Sequence, residues 1–274
     1  YIIPLHDLLT LQVNFLPLTS KKFILGQKIF FLKEADMYLL EGNIGVGKST
    51  FLRLIQKQCP EILVIQEPQE SWSSQTYGQS LLENFYKDAQ RWAYTIETLA
   101  LVTRVKHHMA TQALKLPFSL MERSVYSGHY CFAQNGYASG FLSPLEWDVY
   151  SRMVDVLVHQ HCKPPHGFIY LQAQPAICFE RIQRRHRHGE SHITLEYLKQ
   201  IHNFHEKLLV EKQGITGQLS NVPVLILDAQ FDLATQSERF TTYVKQVKDF
   251  MVHTEQQRNI SSSHTISKME RTSV

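Results

Sequence analysis

The chain of 274 residues has no run approaching the roughly 20 consecutive apolar residues that a membrane-spanning helix needs. Even its apolar start, Tyr1 to Leu18, is broken by Pro4, His6, Asp7, Gln12, Asn14 and Pro17. Cysteine is sparse: Cys59, Cys131, Cys162 and Cys178 form no C-x-x-C pair and no metal-ligand spacing, which fits free thiols in a reducing compartment. A surplus of one charge is also missing. The 28 Lys plus Arg against 25 Asp plus Glu leave +3, too little to imply a nucleic-acid partner. The first 36 residues contain no arginine and no clean period of two or 3.6, so they do not read as a transit peptide. Met37 stands directly before the first buried-type strand, and this predicts an extension over residues 1–36 with the functional domain over 37–251. Beyond it, TEQQRNISSSHTISKMERTSV is polar and aperiodic and is expected to form a disordered tail over 252–274. A cytoplasmic protein with no membrane and no nucleic-acid partner is the expectation.

What is present begins at Leu39 to Thr50, LLEGNIGVGKST, where an apolar run ends at Gly42 and a helix-forming segment starts near Lys48. Gly42, Gly47, Lys48 and Ser49 satisfy G-x-x-x-x-G-K-[ST] at every fixed position. Glycines let successive backbone N–H groups turn inward, and the following helix N-terminus completes a cradle for phosphate. Lys48 is expected to reach the outer phosphates and the Ser49 hydroxyl to ligate Mg²⁺. Only one such loop occurs, which favours a single large α/β domain.

Short apolar runs at Tyr38–Leu40, Ile62–Ile65, Phe118–Met121, Phe168–Leu171 and Val222–Leu227 read as buried parallel strands. Five strands with helical crossovers predict a parallel sheet flanked by helices. The intervening regions Tyr77–Leu116 and Tyr126–His161 are longer than a crossover requires, so their helices should pack on one another or support a dimer. In such sheets ligands bind beyond the carboxyl ends of the strands. Glu67 follows the second strand and precedes Pro68, a position from which it could act as general base. Glu122 and Arg123 end the third strand: Arg123 could brace a transferring phosphate, and Glu122 could hold Mg²⁺ or pair with Arg123. The densest basic stretch, Arg181 to His188, lacks interleaved aromatics and reads better as an arginine lid over a triphosphate than as a nucleic-acid site.

From Met37 to Phe250 the sequence resembles the deoxyribonucleoside kinases, especially the branch of deoxycytidine and deoxyguanosine kinases and mitochondrial thymidine kinase. The likeness rests on EGNIGVGKST, Glu67-Pro68, Arg91-Trp92, ERSVYS at 122–127, IYLQAQP at 169–175, the arginine stretch, and LEYLKQIHNFHE at 195–206. It implies a P-loop kinase fold and transfer of the ATP γ-phosphate to a deoxynucleoside 5′-hydroxyl, with Glu67 as base and Arg123 and Lys48 at the reacting groups. Gly42, Asn43, Ile44, Gly45, Val46, Gly47, Lys48, Ser49 and Thr50 would wrap the phosphates, with Arg181, Arg185 and Arg187 as lid arginines. Asp228, Gln230 and Phe231 lie in the loop that would cover the donor base, and Ser49 and Glu122 would organise Mg²⁺. Tyr86 and Glu190 would hold the sugar 3′-hydroxyl, while Trp72, Ile44 and Phe132 would wall the acceptor pocket. A homodimer through the long helices is implied as well.

Base recognition is where the chain departs from the family, which usually has glutamine at the position of Glu97. An ionised carboxylate only accepts hydrogen bonds, so Glu97 is either protonated or prefers bases that offer donors. The aspartate that partners the arginine of cytidine and purine kinases is Gly128 here, and Arg104 lies seven residues after Glu97. Arg104 is therefore expected to pair with Glu97, and Gly128 to enlarge the pocket. Purine deoxynucleosides or deoxycytidine are favoured over thymidine. Two alternatives remain at this point: a nucleoside monophosphate kinase such as thymidylate kinase, and a non-catalytic accessory subunit of the same fold.

Overall fold

The computed structural model describes residues 22–25, 28–31, 36–67, 75–76, 79–114, 118–187, 189–215, 217–233 and 235–271. Strands β1 (Lys22–Leu25) and β2 (Lys28–Phe31) form an antiparallel hairpin within the segment that showed no period. The central sheet contains β3 (Asp36–Gly42) and β4 (Ile62–Ile65). After a short hairpin, β5 (Gln75–Thr76) and β6 (Gln79–Ser80), it gains β7 (Phe118–Glu122), β8 (Gly167–Gln172) and β9 (Val224–Asp228). Its order is β4-β7-β3-β8-β9, every pair parallel, with Leu39 opposite Met121 on one side and Phe168 on the other. Every residue of β3 and β7 is buried, the consequence of covering both faces, and this is why these strands read as continuous runs.

The helices are α1 (Lys48–Gln58), α2 (Leu81–Lys87), α3 (Ala89–Gln112), α4 (Val125–Ser127), α5 (Gln134–Ala138) and α6 (Pro144–His161). They continue as α7 (Pro175–Arg185), α8 (Leu195–His205) and α9 (Ser237–Arg271). One face of the sheet takes Phe51 and Leu52 from α1, Ile182 from α7, and Phe240 and Val247 from α9, against Tyr38, Leu40 and Ile169. The other face takes Leu101 and Val105 from α3 and Val154 and Val158 from α6, against Met37, Leu39 and Phe168. Crossovers leave the central β3 toward opposite edges, so the crevice at its carboxyl end is the natural ligand site.

The two long helical regions are each divided, and one expectation changes. The first helical region is interrupted: α2 ends and α3 begins at Asp88, whose carboxylate accepts the Arg91 N–H at 3.1 Å and caps the new helix. The second contains a π-helical segment, Gly128–Ala133, and restarts at Pro144 through a capping box between Ser143 and Glu146. The chain past Val252 continues as the helix α9 to Arg271 rather than as a disordered tail. Thr254 and Glu255 are buried there, and the Tyr38 hydroxyl lies 2.6 Å from the Thr254 hydroxyl, so polar residues extend the stripe that Val247 and Met251 begin. Among the described residues no helix is long and apolar enough to cross a membrane.

Candidate active site

Strand β3 ends at Gly42, and the loop into α1 turns so tightly that only glycine fits its corners. A side chain at Gly42 (φ 145°) would meet the Leu171 carbonyl oxygen at 2.7 Å, and one at Gly45 (φ 80°) the Cys178 carbonyl oxygen at 2.5 Å. Asn43 fixes the loop by donating to the Leu198 carbonyl at 2.8 Å while its own side-chain oxygen accepts the Ile44 N–H at 2.8 Å. Lys48 Nζ donates to the Gly42 and Asn43 carbonyls at 3.1 and 2.9 Å. Burial, reinforced by the Arg123 charge, lowers the Lys48 ammonium to about 7, against the pull of Glu122, Glu67 and Glu41. An anion entering the cradle would restore its charge.

The ends of β4 and β7 carry the remaining charges. Glu67 lies just beyond β4, with Oε1 2.7 Å from Arg104 Nη2 and Oε2 3.4 Å from Arg123 Nε. Burial by itself would raise the Glu67 carboxyl, but Arg104 and Arg123 hold it below the usual carboxylate range. Arg123 follows β7 in a left-handed conformation (φ 61°), an unusual state for a side chain of its size. Its N–H donates to the Leu40 carbonyl at 2.9 Å, and its Nη1 donates to the Gly42 carbonyl at 3.1 Å. The guanidinium lies 4.6 Å over the Phe132 ring. Arg123 thus ties the phosphate loop, Glu67 and Phe132 together. The Ser49 hydroxyl donates to Glu122 at 3.2 and 3.3 Å, bringing the two oxygen ligands proposed for Mg²⁺ into contact. A hydroxyl and a carboxylate suit a hard divalent cation that takes further oxygens from phosphate and water.

A cavity of about 640 Å³ joins these groups to the second end of the site. Its walls include Ile44, Phe132, Tyr86, Glu97, Arg104, Arg185, Arg187 and Glu190 from the sequence reading, together with Phe85, Ile96, Tyr197 and Arg53, which that reading missed. Phe85 and Tyr197 pack around Tyr86, with ring centroids 5.2 and 6.3 Å from it. Phe85 lies beside Tyr86 in sequence, yet only the fold brings Tyr197 in from α8. Glu190 receives Arg185 through two hydrogen bonds of 2.7 and 2.6 Å, so the lid arginine and the carboxylate assigned to the sugar hold each other.

Several expected contacts are not made. Arg104 pairs with Glu67 and not with Glu97, because residues seven apart on a helix are about 10 Å apart along its axis. Gly128 does not enlarge the cavity: a side chain there would meet Arg104 Nη1 at 2.8 Å, so the guanidinium occupies that space. Arg181 faces away from the cavity, donating to the carbonyls of Val46, Ala229 and Phe231 at 2.9, 2.9 and 2.8 Å. It braces the phosphate loop against the loop after β9. Asp228 ends β9, Gln230 and Phe231 lie in the loop after it, none of the three lines the cavity, and Phe231 stacks under Arg239 at 4.1 Å. Trp72 falls outside the described residues.

A profile of the deoxynucleoside kinases matches residues 39–252. The chain belongs to the deoxynucleoside kinase family. Its relatives include deoxycytidine kinase 2 of Gallus gallus, 35% identical with 81% of this chain and 92% of the relative covered. Human deoxycytidine kinase is 34% identical over 77% of this chain and 89% of its own, and mitochondrial deoxyguanosine kinase of Xenopus laevis is 34% identical over 77% and 88%. Membership in this kinase family implies a nucleotide phosphate donor and a nucleoside acceptor, which matches a cavity lined both by a phosphate loop and by aromatic side chains.

Proposed function

We propose that the chain transfers the γ-phosphate of ATP to the 5′-hydroxyl of a deoxynucleoside, in nucleotide salvage in the cytoplasm, with purine deoxynucleosides or deoxycytidine favoured over thymidine. The observation that carries this is Glu67: an ionised carboxylate fixed between two arginines within the cavity that also holds the phosphate loop. Glu67 would accept the 5′-hydroxyl proton, and Arg123 and Lys48 would offset the charge on the transferring phosphoryl group. Arg185 and Arg187, which line the same cavity, would close over the phosphates. Mg²⁺ bound at Ser49 and Glu122 would neutralise the phosphate oxygens. Glu67→Gln should lower turnover about 10²- to 10⁴-fold, the usual worth of a positioned base. The assay is conversion of labelled deoxynucleoside to 5′-monophosphate by a variant of unchanged fold, and normal turnover would sink the assignment.

The homodimer belongs to the same reading. Adjacent helices α3 and α6 leave Leu99, Val102 and Met109, and Leu145, Val149 and Val156, exposed, with Leu145 72% and Val102 50% accessible. Light scattering should give twice the chain mass, and Val102→Asp should return it to one chain mass.

A further inference from the structure

Five carboxylates line the cavity: Glu67, Glu83, Glu97, Glu122 and Glu190. Glu67 is held by Arg104 and Arg123, Glu122 by Ser49, Glu190 by Arg185, and Glu83 by Lys87. Glu97 alone forms no hydrogen bond or ion pair with another described residue, although it is only 8% exposed. A buried, unpaired polar group costs free energy unless a ligand supplies the partner. The position of Glu97 says which part of the ligand that is. With the 5′-hydroxyl at Glu67, the remainder of the acceptor falls in the chamber formed by Phe85, Ile96, Glu97, Ala100, Phe132 and Tyr197. Phe85, Ile96, Ala100 and Phe132 give that chamber apolar walls, and Glu97 and the Tyr197 hydroxyl are its polar groups, with Glu97 the only carboxyl, which suits a planar heterocycle read at its edge by a carboxyl group.

We infer that Glu97 selects the acceptor base, its ionised carboxylate taking the guanine edge and its neutral carboxyl the cytosine edge. The inference rests on the kinase reading above. Guanine presents two donors side by side, N1–H and the 2-amino group, and a carboxylate presents two acceptors at matching spacing. Cytosine presents a 4-amino donor beside the N3 acceptor, so it needs one acceptor and one donor from the protein. A neutral carboxyl supplies both, as a glutamine amide does; a carboxylate would set its charge against the N3 lone pair. Adenine has the same donor-acceptor pair as cytosine and follows it. Sites that hydrogen-bond a substrate reject mismatched partners strongly, because the site's own polar group is left unpaired.

The groups facing Glu97 come from four other elements and its own. Arg104 shares α3, Glu67 follows β4, Arg123 follows β7, Tyr150 lies on α6 and Tyr197 on α8. Burial, aided by the Glu67 charge, raises the Glu97 carboxyl to about 7 against the pull of Arg104 and Arg123. Both protonation states are therefore populated near neutrality.

The experiment is competition between labelled deoxyguanosine and deoxycytidine in one tube, from pH 6 to pH 8. The ratio of their kcat/KM values cancels any titration that affects both substrates alike. In the wild-type enzyme the ratio should move toward deoxyguanosine by at least about tenfold, the limit for one proton being tenfold per pH unit. In Glu97→Gln it should be flat and favour deoxycytidine throughout. Phosphorylation of both substrates at a pH-independent ratio overturns this inference alone, and so does a variant that follows the wild-type curve. No phosphorylation of any deoxynucleoside sinks the kinase reading and this inference with it. Should the variant not fold, calorimetry of the wild-type enzyme in two buffers of different ionisation enthalpy decides. At pH 7, where Glu97 is about half protonated, deoxyguanosine binding should release about half a proton and deoxycytidine binding should take up about half, and the same sign for both overturns the inference.

Discussion

The arginine at position 104 shows how one side chain can have its role set by an element far away in sequence. Helical spacing alone offers Glu97 as its partner, but two turns separate them, and the end of β4 delivers Glu67 at 2.7 Å. Arg104 thereby becomes a positioning residue for the proposed base, and Glu97 is left to the ligand. Replacing Arg104 with methionine breaks a buried ion pair while leaving the carboxylate in place, which should cost about 3–5 kcal/mol of stability. The catalytic signature follows from sign. Arg104 is the larger of the two arginine influences that keep Glu67 below the carboxylate range, against burial that pushes it up. Without Arg104 the folded-state value rises, so the acid limb of the kcat/KM profile should move to higher pH. An acid limb unchanged in Arg104→Met would detach this residue from the base. Glu67, Glu122 and Arg123 were legible in the sequence because each lies at or just past the carboxyl end of a largely apolar strand. The pairings among them were not, because hydrogen-bond partners across strands and helices carry no spacing signal.

At the scale of elements, legibility follows burial. Strands covered on both faces write unbroken apolar runs, as β3, β7 and β8 do, and the partly buried edge strands β4 and β9 stood out because their residues are apolar all the same. The terminal helix α9 writes a fainter pattern. Phe240, Val244, Val247 and Met251 recur at helical spacing, but the stripe continues through Thr254 and Glu255, which composition counts as polar. What makes Thr254 a core residue is Tyr38: its fully buried hydroxyl lies 2.6 Å from the Thr254 hydroxyl and donates to the Met251 carbonyl at 3.0 Å. A strand buried in the sheet thus anchors the helix past the point where its sequence looks unstructured. Tyr38→Phe and Thr254→Val should each lose about 1 kcal/mol, and the double variant should lose less than the sum, with coupling of about 0.5–1.5 kcal/mol. Urea unfolding of the four proteins measures it, and strict additivity would mean that the contact contributes nothing.

The whole molecule adds a balance of buried ionisable groups that no single motif reveals. Burial lowers His205 to about 3 and both His108 and His129 to about 4, so none of the three takes a proton in the folded state at mildly acidic pH. Their unfolded values are near 6.5, so stability falls as pH drops below that point. Glu41 and Glu97 act in the opposite direction. Glu41 sits at the end of β3 with neither carboxylate oxygen hydrogen-bonded, and burial raises it. The folded state keeps its proton above about pH 4.5, where the unfolded chain has lost it, so this group destabilises the fold as pH rises. Between about pH 4.5 and 6.5 these histidines, together with the half-buried His107, therefore oppose the two carboxyls, and stability should fall on acidification less steeply than the histidines alone would make it. Glu41→Gln removes one opposing proton without removing bulk. Its stability should be higher than wild type at pH 6.5, and its loss on acidification should be steeper. Urea midpoints from pH 5 to pH 6.5 measure both slopes, and parallel slopes would mean that Glu41 is already ionised in the fold, compensated by Arg123 and Lys48 beside it.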